Sequence, residues 1–197
     1  MRKIILLLSM LMLSGYFRAQ DFQIPKYRQS KYDMISSKTG VATKYMYVKL
    51  PLLRAKDIIV VTARPHIIKI TQGNEIAYYY RLEAAHIATY VEYSDLLEAV
   101  KALNALKEAV AKDLANKPDY LENEFVTSDG FAIGYYIAKE KVTWYISFNK
   151  FYKTSFFKEG MEGSNAYDKS LEFKDGATEI ESSFQQAISK IEELKAK

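Results

Sequence analysis

The sequence predicts an α+β fold in which an antiparallel sheet packs against two amphipathic helices. Three observations favour this fold. Runs of alternating apolar and polar residues, typical of half-buried strands, occur in both halves of the chain. Two segments with apolar residues three and four positions apart, typical of helices, each follow such a group of strands. The pair Gly73-Asn74 separates two alternating runs and indicates a hairpin. Each helix is therefore expected to cover one face of an antiparallel sheet.

The first twenty residues have the pattern of a secretory signal peptide. Arg2 and Lys3 precede an apolar run of about ten residues, and small and polar residues follow it. Because a membrane-spanning helix needs about 20 apolar residues, this run predicts a cleaved signal over residues 1–20 rather than an anchor. The mature chain is then exported, to the periplasm or the medium, with no transmembrane segment after cleavage. Residues 21–42 are polar and basic without a helical period, and they predict an N-terminal tether or an edge segment.

Residues 43–118 are predicted to form a first ββββα unit. Pro51 limits its first strand to an edge or an end of the sheet, and Arg64-Pro65 is expected to break its second strand. The helix has Ser94 as a natural N-cap and stops at 116–118. The predicted strands are, in order, 45–53, then 57–63 resuming at 66–72, then 75–84 and 86–93.

Residues 119–197 are predicted to form a second unit of the same kind. A hairpin joins two alternating runs across Lys139–Lys141, and a long loop with two glycines precedes the last strand. Thr178 and Glu181 have the spacing of a capping box at the start of the final helix. The predicted elements are a short strand and an Asp129-Gly130 turn within 125–131, strands at 131–138, 142–149, 151–157 and 170–175, a loop at 158–168 and a helix at 178–197.

The two units can be aligned, which suggests an internal duplication. A shift of 84 residues places Leu96 on Ile180 and Leu103 on Ala187 in the two helices. A shift of 66 residues matches the strand at 75–82 with that at 141–148, so the second unit carries the longer loop. Amphipathic helices share this spacing in general, and coincidence is the alternative explanation.

Charge and composition exclude several functional classes. Removing the signal takes away Arg2, Lys3 and Arg18 and no acid, so the net charge falls from +4 to +1. A near-neutral chain has no overall electrostatic attraction for nucleic acid. The chain has no cysteine, which excludes disulfides, thiol catalysis and thiolate metal sites. The mature chain, about 177 residues, is long enough to bury a substantial core without such cross-links.

The only tryptophan, Trp144, is predicted to belong to the core rather than to a ligand site. Alternation places it with Val142, Ile146 and Phe148 on the most apolar stripe of its hairpin. Burial of such a ring removes about 200 Å² from water, or about 5 kcal/mol before conformational entropy is subtracted.

The opposite face of the strands is the candidate binding surface. Exposed tyrosines offer flat, amphipathic contact area at a low entropic cost, which suits a protein or glycan partner. Tyrosine is also a favoured strand residue, so a purely structural role is the alternative. The residues assigned to this surface are Tyr79, Arg81, Tyr136, Tyr145 and Asn149.

Sequence motifs for chemistry are scarce. His66 and His86 lack a second histidine at metal-binding spacing, and the chain has no nucleophile elbow, phosphate-binding loop or dinucleotide fingerprint. We therefore predict no cofactor and no metal site. Acids at Glu122, Glu124 and Asp129 leave open a carboxylate-dependent hydrolase, which needs only two acids at a suitable separation.

The leading hypothesis is an exported, non-enzymatic protein that binds a protein or glycan through its sheet face or its N-terminal segment. Carboxylate-dependent hydrolysis is the first alternative. The second is an apolar-ligand carrier with a cavity between sheet and helices, lined by Tyr135, Trp144, Phe148 and Phe184. The sequence indicates neither the ligand nor the oligomeric state.

Overall fold

The computed structural model describes residues 29–55, 61–84, 87–148, 170–173 and 176–197. These residues form two antiparallel sheets and three helices, which confirms the predicted α+β fold. The predicted signal peptide lies outside the described residues. The helices are α1 (Lys31–Ser36), α2 (Tyr93–Ala115) and α3 (Thr178–Lys195). The first sheet contains β1 (Thr43–Lys49), β2 (Leu53–Ala55), β3 (Val61–Gln72), β4 (Glu75–Ala84) and β5 (Ile87–Glu92). The second sheet contains β6 (Tyr120–Val126), β7 (Ala132–Ala138), β8 (Lys141–Ser147) and β9 (Ser170–Phe173).

Each sheet is an antiparallel meander followed by a helix. The strand order is β1-β3-β4-β5 in the first sheet, with β2 on the same edge of β3 as β1, and β6-β7-β8-β9 in the second. The first sheet has one strand more than the predicted unit, because the segment predicted as one strand at 45–53 is divided between β1 and β2. In the second sheet, β7, β8 and β9 match predicted strands, whereas β6 begins before the short strand predicted within 125–131. The predicted strand at 151–157 and loop at 158–168 lie outside the described residues. Similar element order alone does not establish a duplication, which stays a prediction.

Strand β3 runs without interruption through Pro65, so the predicted break at Arg64-Pro65 is wrong. Proline lacks an N–H group and is tolerated only where the ladder needs no donor. Pro65 faces the strand edge where β1 pairing ends: its carbonyl accepts from the Leu50 N–H at 3.1 Å. Pairing then resumes at Leu53 opposite Ala63, shifted by one residue. The missing donor therefore falls in the gap between β1 and β2.

The two long helices begin without the predicted side-chain caps. Helix α2 starts at Tyr93, directly after β5, and its N-cap is Glu92; Ser94 lies in the first turn and donates to the Glu92 carboxylate at 3.1 Å. No loop residue separates strand from helix, so Ser94 cannot take the cap position. Helix α3 has Ala177 as its N-cap with no capping side chain.

One continuous core joins both sheets and both long helices. Trp144 belongs to it, which confirms its predicted position. Its ring packs against Tyr135 with centroids 5.0 Å apart. The centroid of the Phe184 ring of α3 lies 5.7 Å from that of Tyr80 in the first sheet and 6.0 Å from that of Phe131 in the second half of the chain. The core therefore spans both halves of the chain.

A smaller apolar cluster lies on the other face of the first sheet, under α1. Ile35 of α1 is buried there with Ile68 and Ile70 of β3. The Ser30 side chain caps the helix and Asp33 completes a capping box. Residues 21–42 show no helical period in the sequence, yet 31–36 form a helix, because a six-residue helix is too short to show one.

Candidate functional site

The outer face of the second sheet, opposite its core side, carries two of the predicted binding residues, Tyr136 and Tyr145. The Tyr136 hydroxyl donates to the Glu172 carboxylate at 3.1 Å. The Tyr145 hydroxyl contacts Glu122 Oε1 at 2.5 Å and Glu124 Oε2 at 2.6 Å. Tyr145 is only 5% exposed, so the expectation that it projects into solvent is wrong.

Glycine at position 134 makes room for this contact. In the register, Gly134 of β7 lies between Glu124 of β6 and Tyr145 of β8. The tyrosine side chain therefore reaches across a residue without a side chain to the carboxylates of the next strand but one. Burial, followed by the two carboxylates, raises the pKa of Tyr145 well above its ordinary value, so the phenol stays protonated.

The three acids considered for hydrolysis do not form one cluster. Glu122 and Glu124 share the Tyr145 hydroxyl on β6, whereas Asp129 lies in the turn after that strand. Asp129 accepts from the main-chain N–H of Lys31 at 3.0 Å, at the first residue of α1. Burial raises the pKa of Asp129. Asp129 therefore ties the second half of the chain to α1.

The other two described binding residues, Tyr79 and Arg81, lie on the outer face of the first sheet. Tyr79 is only 2% exposed because α1 covers it, and its expected exposure is likewise wrong. Arg81 forms an ion pair with Glu83 at 2.5 Å and its Nε donates to the Tyr90 hydroxyl at 3.3 Å. The structure thus places the predicted residues on two different sheets. The fifth of them, Asn149, lies outside the described residues.

Five tyrosines gather on the outer face of the first sheet, and we call them the tyrosine patch. Tyr32 of α1 stacks on Tyr90 with centroids 3.7 Å apart and meets Tyr79 edge-on at 5.4 Å. Tyr45 and Tyr47 of β1 lie opposite Ile70 and Ile68 on the same face, and they are 38% and 55% exposed. The patch consists of Tyr32, Tyr45, Tyr47, Tyr79 and Tyr90.

The hydroxyl groups of the patch influence one another. Burial, and then the neighbouring hydroxyls of Tyr90, Tyr47 and Tyr45, raise the pKa of Tyr32. Of these five tyrosines, only Tyr79 is predicted from the sequence to belong to a binding surface. A signal for two others was present: in Tyr45-Met46-Tyr47, alternation places both tyrosines on one face of the strand. Tyr32 had no such signal, since it comes from a different element.

Two cationic side chains next to the patch, those of Lys31 and Arg81, are paired with carboxylates. Lys31 Nζ contacts Glu92 at 2.7 Å and Asp95 at 2.9 Å. Burial lowers the pKa of Lys31, but these two partners outweigh it and raise the pKa overall. Arg81 is paired with Glu83 as described above. Lys49 is exposed on the same face of β1, two residues after Tyr47, so the aromatic patch has a charged residue at its rim.

Other predicted features can be placed in the described ranges. His66 contacts the Arg64 carbonyl through Nδ1 at 3.2 Å, while His86 is outside these ranges. No group of three or more histidine and acidic side chains among the described residues is arranged to hold a metal ion. The residues assigned to a carrier cavity are all buried in the common core.

Within the described ranges, no helix is both long enough and apolar enough to cross a membrane. Neither a protein-family model nor a curated protein nor a solved structure matches this chain.

Proposed function

We propose that this protein is an exported, non-enzymatic binding protein that holds a protein partner on the tyrosine patch. One observation carries the proposal: Tyr45 and Tyr47 stand exposed at the rim of a patch whose other three tyrosines are packed and ordered by α1. Tyrosines held in place lose little further entropy on binding, which makes them effective anchors of protein interfaces. The signal-peptide pattern supports export.

The surroundings of the patch favour a protein over a glycan. Met34 lies on the exposed side of α1 and is half exposed. Its thioether offers no strong hydrogen bond to sugar hydroxyls, but methionine and tyrosine are both enriched in protein interfaces. Lys31 and Arg81 beside the patch are paired with carboxylates, and Lys49 is exposed at its edge, so an aromatic centre has a polar rim, which is the usual arrangement of such interfaces.

The test uses the mature chain as bait in its native envelope and medium, with cross-linking and quantitative mass spectrometry. Tyr45→Ala combined with Tyr47→Ala removes the two exposed anchors while leaving Tyr32, Tyr79 and Tyr90 in place. We expect this variant to lose a partner that the unmodified chain captures. A loss of about tenfold or more corresponds to at least 1.4 kcal/mol, within the range of interface anchors.

Tyr120→Ala is the matched control, because Tyr120 is 62% exposed but belongs to the second sheet. The proposal requires capture to survive this change. If Tyr120→Ala abolishes capture and the β1 variant retains it, the partner binds the second sheet instead, and the tyrosine patch is not the site.

Carboxylate-dependent hydrolysis is a second candidate, favoured by the convergence of Glu122 and Glu124 on one phenol hydroxyl. Paired acids are the minimum that glycoside hydrolysis needs. A panel of chromogenic glycosides and esters, assayed with the mature chain and with Glu122→Gln, tests this candidate. Turnover that falls by about a hundredfold in the variant would support it, whereas background rates in both would refute it.

A further inference from the structure

Strand β1 is an edge strand, and its outward main-chain groups can be identified. The Leu50 N–H donates to Pro65, one step beyond the last pair of the register, Lys49 opposite His66. Hydrogen-bonded and non-hydrogen-bonded pairs alternate along an antiparallel ladder. The even-numbered residues of β1 therefore bond to β3, and the N–H and C=O groups of the odd-numbered residues point away from it. Among the described residues, no strand pairs with β1 on that side.

We propose that β1 pairs antiparallel with β1 of a second copy of this chain, about a two-fold axis at Met46. This register places Tyr45 opposite Tyr47 and Thr43 opposite Lys49. Residues whose main-chain N–H and C=O groups point outward therefore lie opposite each other and can form hydrogen bonds across the contact. Met46 lies opposite its own symmetry mate. The pairing is isologous, as a two-fold dimer requires.

The charges of β1 agree with this register. Lys44 falls opposite Val48 and Lys49 opposite Thr43, so no lysine faces a lysine. The two tyrosine pairs add aromatic cross-strand contacts, and such contacts stabilise paired strands modestly. The corresponding self-pairing of β6, another edge strand, would place Glu122 opposite Glu124 of the second copy. Like charges directly opposite are destabilising, which favours β1 over β6 as the contact edge.

Dimerisation at β1 would join the two tyrosine patches. A two-fold axis perpendicular to the sheet reverses the strand direction and keeps the face, so the patches of both copies lie on the same side. Two first sheets then form one continuous sheet, with four exposed tyrosines at its centre. A partner with a repeated motif would bind such a surface with the gain in affinity that two linked sites provide. The pairing itself does not depend on that partner.

A disulfide provides the geometric test, because the chain contains no cysteine. Met46→Cys places two thiols opposite each other in a non-hydrogen-bonded pair, with the Cα atoms about 4.5 Å apart, inside the range that disulfides allow. We expect rapid formation of a covalent dimer in mild oxidant. Val48→Cys is the control, since Val48 lies opposite Lys44 rather than itself. Equal cross-linking of both variants, or none in Met46→Cys, would overturn the register.

Charge reversal tests the same register in solution, by sedimentation equilibrium of the mature chain. The Thr43 hydroxyl accepts a hydrogen bond from Gln72 at 2.7 Å, and every substitution at this position removes that hydroxyl. Thr43→Gln removes it without adding a charge and is therefore the reference for the charged variants. Relative to this reference, Thr43→Lys should weaken the dimer about fivefold by facing Lys49, and Thr43→Glu should strengthen it by a similar factor. Adding Lys49→Glu to Thr43→Lys should restore the affinity.

The Thr43 variants keep Tyr45 and Tyr47, so failure here is distinguishable from failure of partner binding. A monomer at every concentration up to about 100 μM, which corresponds to less than about 5.5 kcal/mol of association free energy, would refute the dimer. A dimer whose affinity does not change with the charge at position 43 would also refute pairing through β1, because a different surface would then hold the two copies together.

Discussion

Gly134 lies in the middle of β7, between Glu124 on one neighbouring strand and Tyr145 on the other. A Cβ atom added here would lie 2.4 Å from the main-chain oxygen of Asn123 and 2.8 Å from the Cβ of Glu124. Both neighbours are rigid parts of the sheet, so the strands would have to separate. The absence of a side chain also leaves space for the Tyr145 ring.

We therefore predict that Gly134→Ala lowers the free energy of unfolding by about 1–3 kcal/mol, the usual range for overpacking. Urea unfolding followed by Trp144 fluorescence measures this, since Trp144 is buried on the adjacent strand. Gly73→Asn is the control: a Cβ at Gly73 meets nothing within 4 Å, and asparagine tolerates its positive φ of 56°. Equal losses in both variants would contradict the steric explanation.

Residues on β8 show how far alternation can predict a site. The pattern correctly separated Trp144 from Tyr145, because successive side chains in a strand point to opposite faces. It did not predict that Tyr145 is buried, since exposure depends on what reaches the face from other strands. The two carboxylates on β6 and the glycine on β7 are separate in sequence from Tyr145, and only the strand register brings them together.

At the scale of elements, α1 supports the tyrosine patch directly. This six-residue helix supplies Tyr32 to the tyrosine patch and buries Ile35 against β3. The Gln72 side chain donates to the Ile35 carbonyl at 2.7 Å, and Lys31 holds the helix to the start of α2. A helix this short is not stable alone, so these tertiary contacts maintain it.

Tyr32→Ala should lower the free energy of unfolding by about 2 kcal/mol, because it removes a ring that is stacked on Tyr90 and packed against Tyr79. It should also speed amide hydrogen exchange in β4 around Tyr79, which α1 covers. Met34→Ala on the same helix is the control, with an expected effect within about 0.5 kcal/mol because Met34 is half exposed. Unchanged stability in Tyr32→Ala would mean that α1 does not support the patch.

The sequence contained one signal for the layer that α1 provides. Ile67 and Ile68 are adjacent, so β3 presents an apolar residue to each face, and Ile70 extends the outer one. A strand that is apolar on both faces must be covered on both. The covering element was harder to predict, because residues 31–36 contain a single buried apolar residue, Ile35. The apolar pattern of β3 therefore predicts that a second layer covers the sheet, but it does not identify residues 31–36 as that layer.

At the scale of the whole molecule, phenol hydroxyl groups link elements that are distant in sequence. Tyr80 of β4 contacts Ser183 of α3 at 2.8 Å, and Tyr135 of β7 donates to Asp113 of α2 at 2.6 Å. Tyr93 at the start of α2 donates to Glu192 of α3. These links connect both sheets to the two long helices, so ionisation of the phenols would affect the entire fold.

The pKa shifts give this dependence a direction. Burial, and then the bond to Asp113, raises the pKa of Tyr135 to about 12. The bond to Glu192, and then burial, raises the pKa of Tyr93 to about 12. A tyrosine in the unfolded chain ionises near pH 10, at a pKa of about 10. Below that pH both states keep the proton and the stabilisation is complete; as the pH rises toward 12, only the unfolded chain loses it, so folding stability falls.

We therefore expect the urea midpoint to decrease steadily between about pH 10 and pH 12, the interval between the unfolded and folded pKa values. Absorbance of tyrosinate should lag behind that of the urea-unfolded chain over the same interval. Tyr135→Phe keeps the packed ring but removes one shifted phenol, so its midpoint should fall less steeply with pH. If every tyrosine of the native protein ionised near pH 10 while the fold persisted, the hydroxyl links would not contribute to stability. A slope unchanged by Tyr135→Phe would exclude Tyr135 in particular, because that phenol would then have the same pKa in the folded and unfolded states.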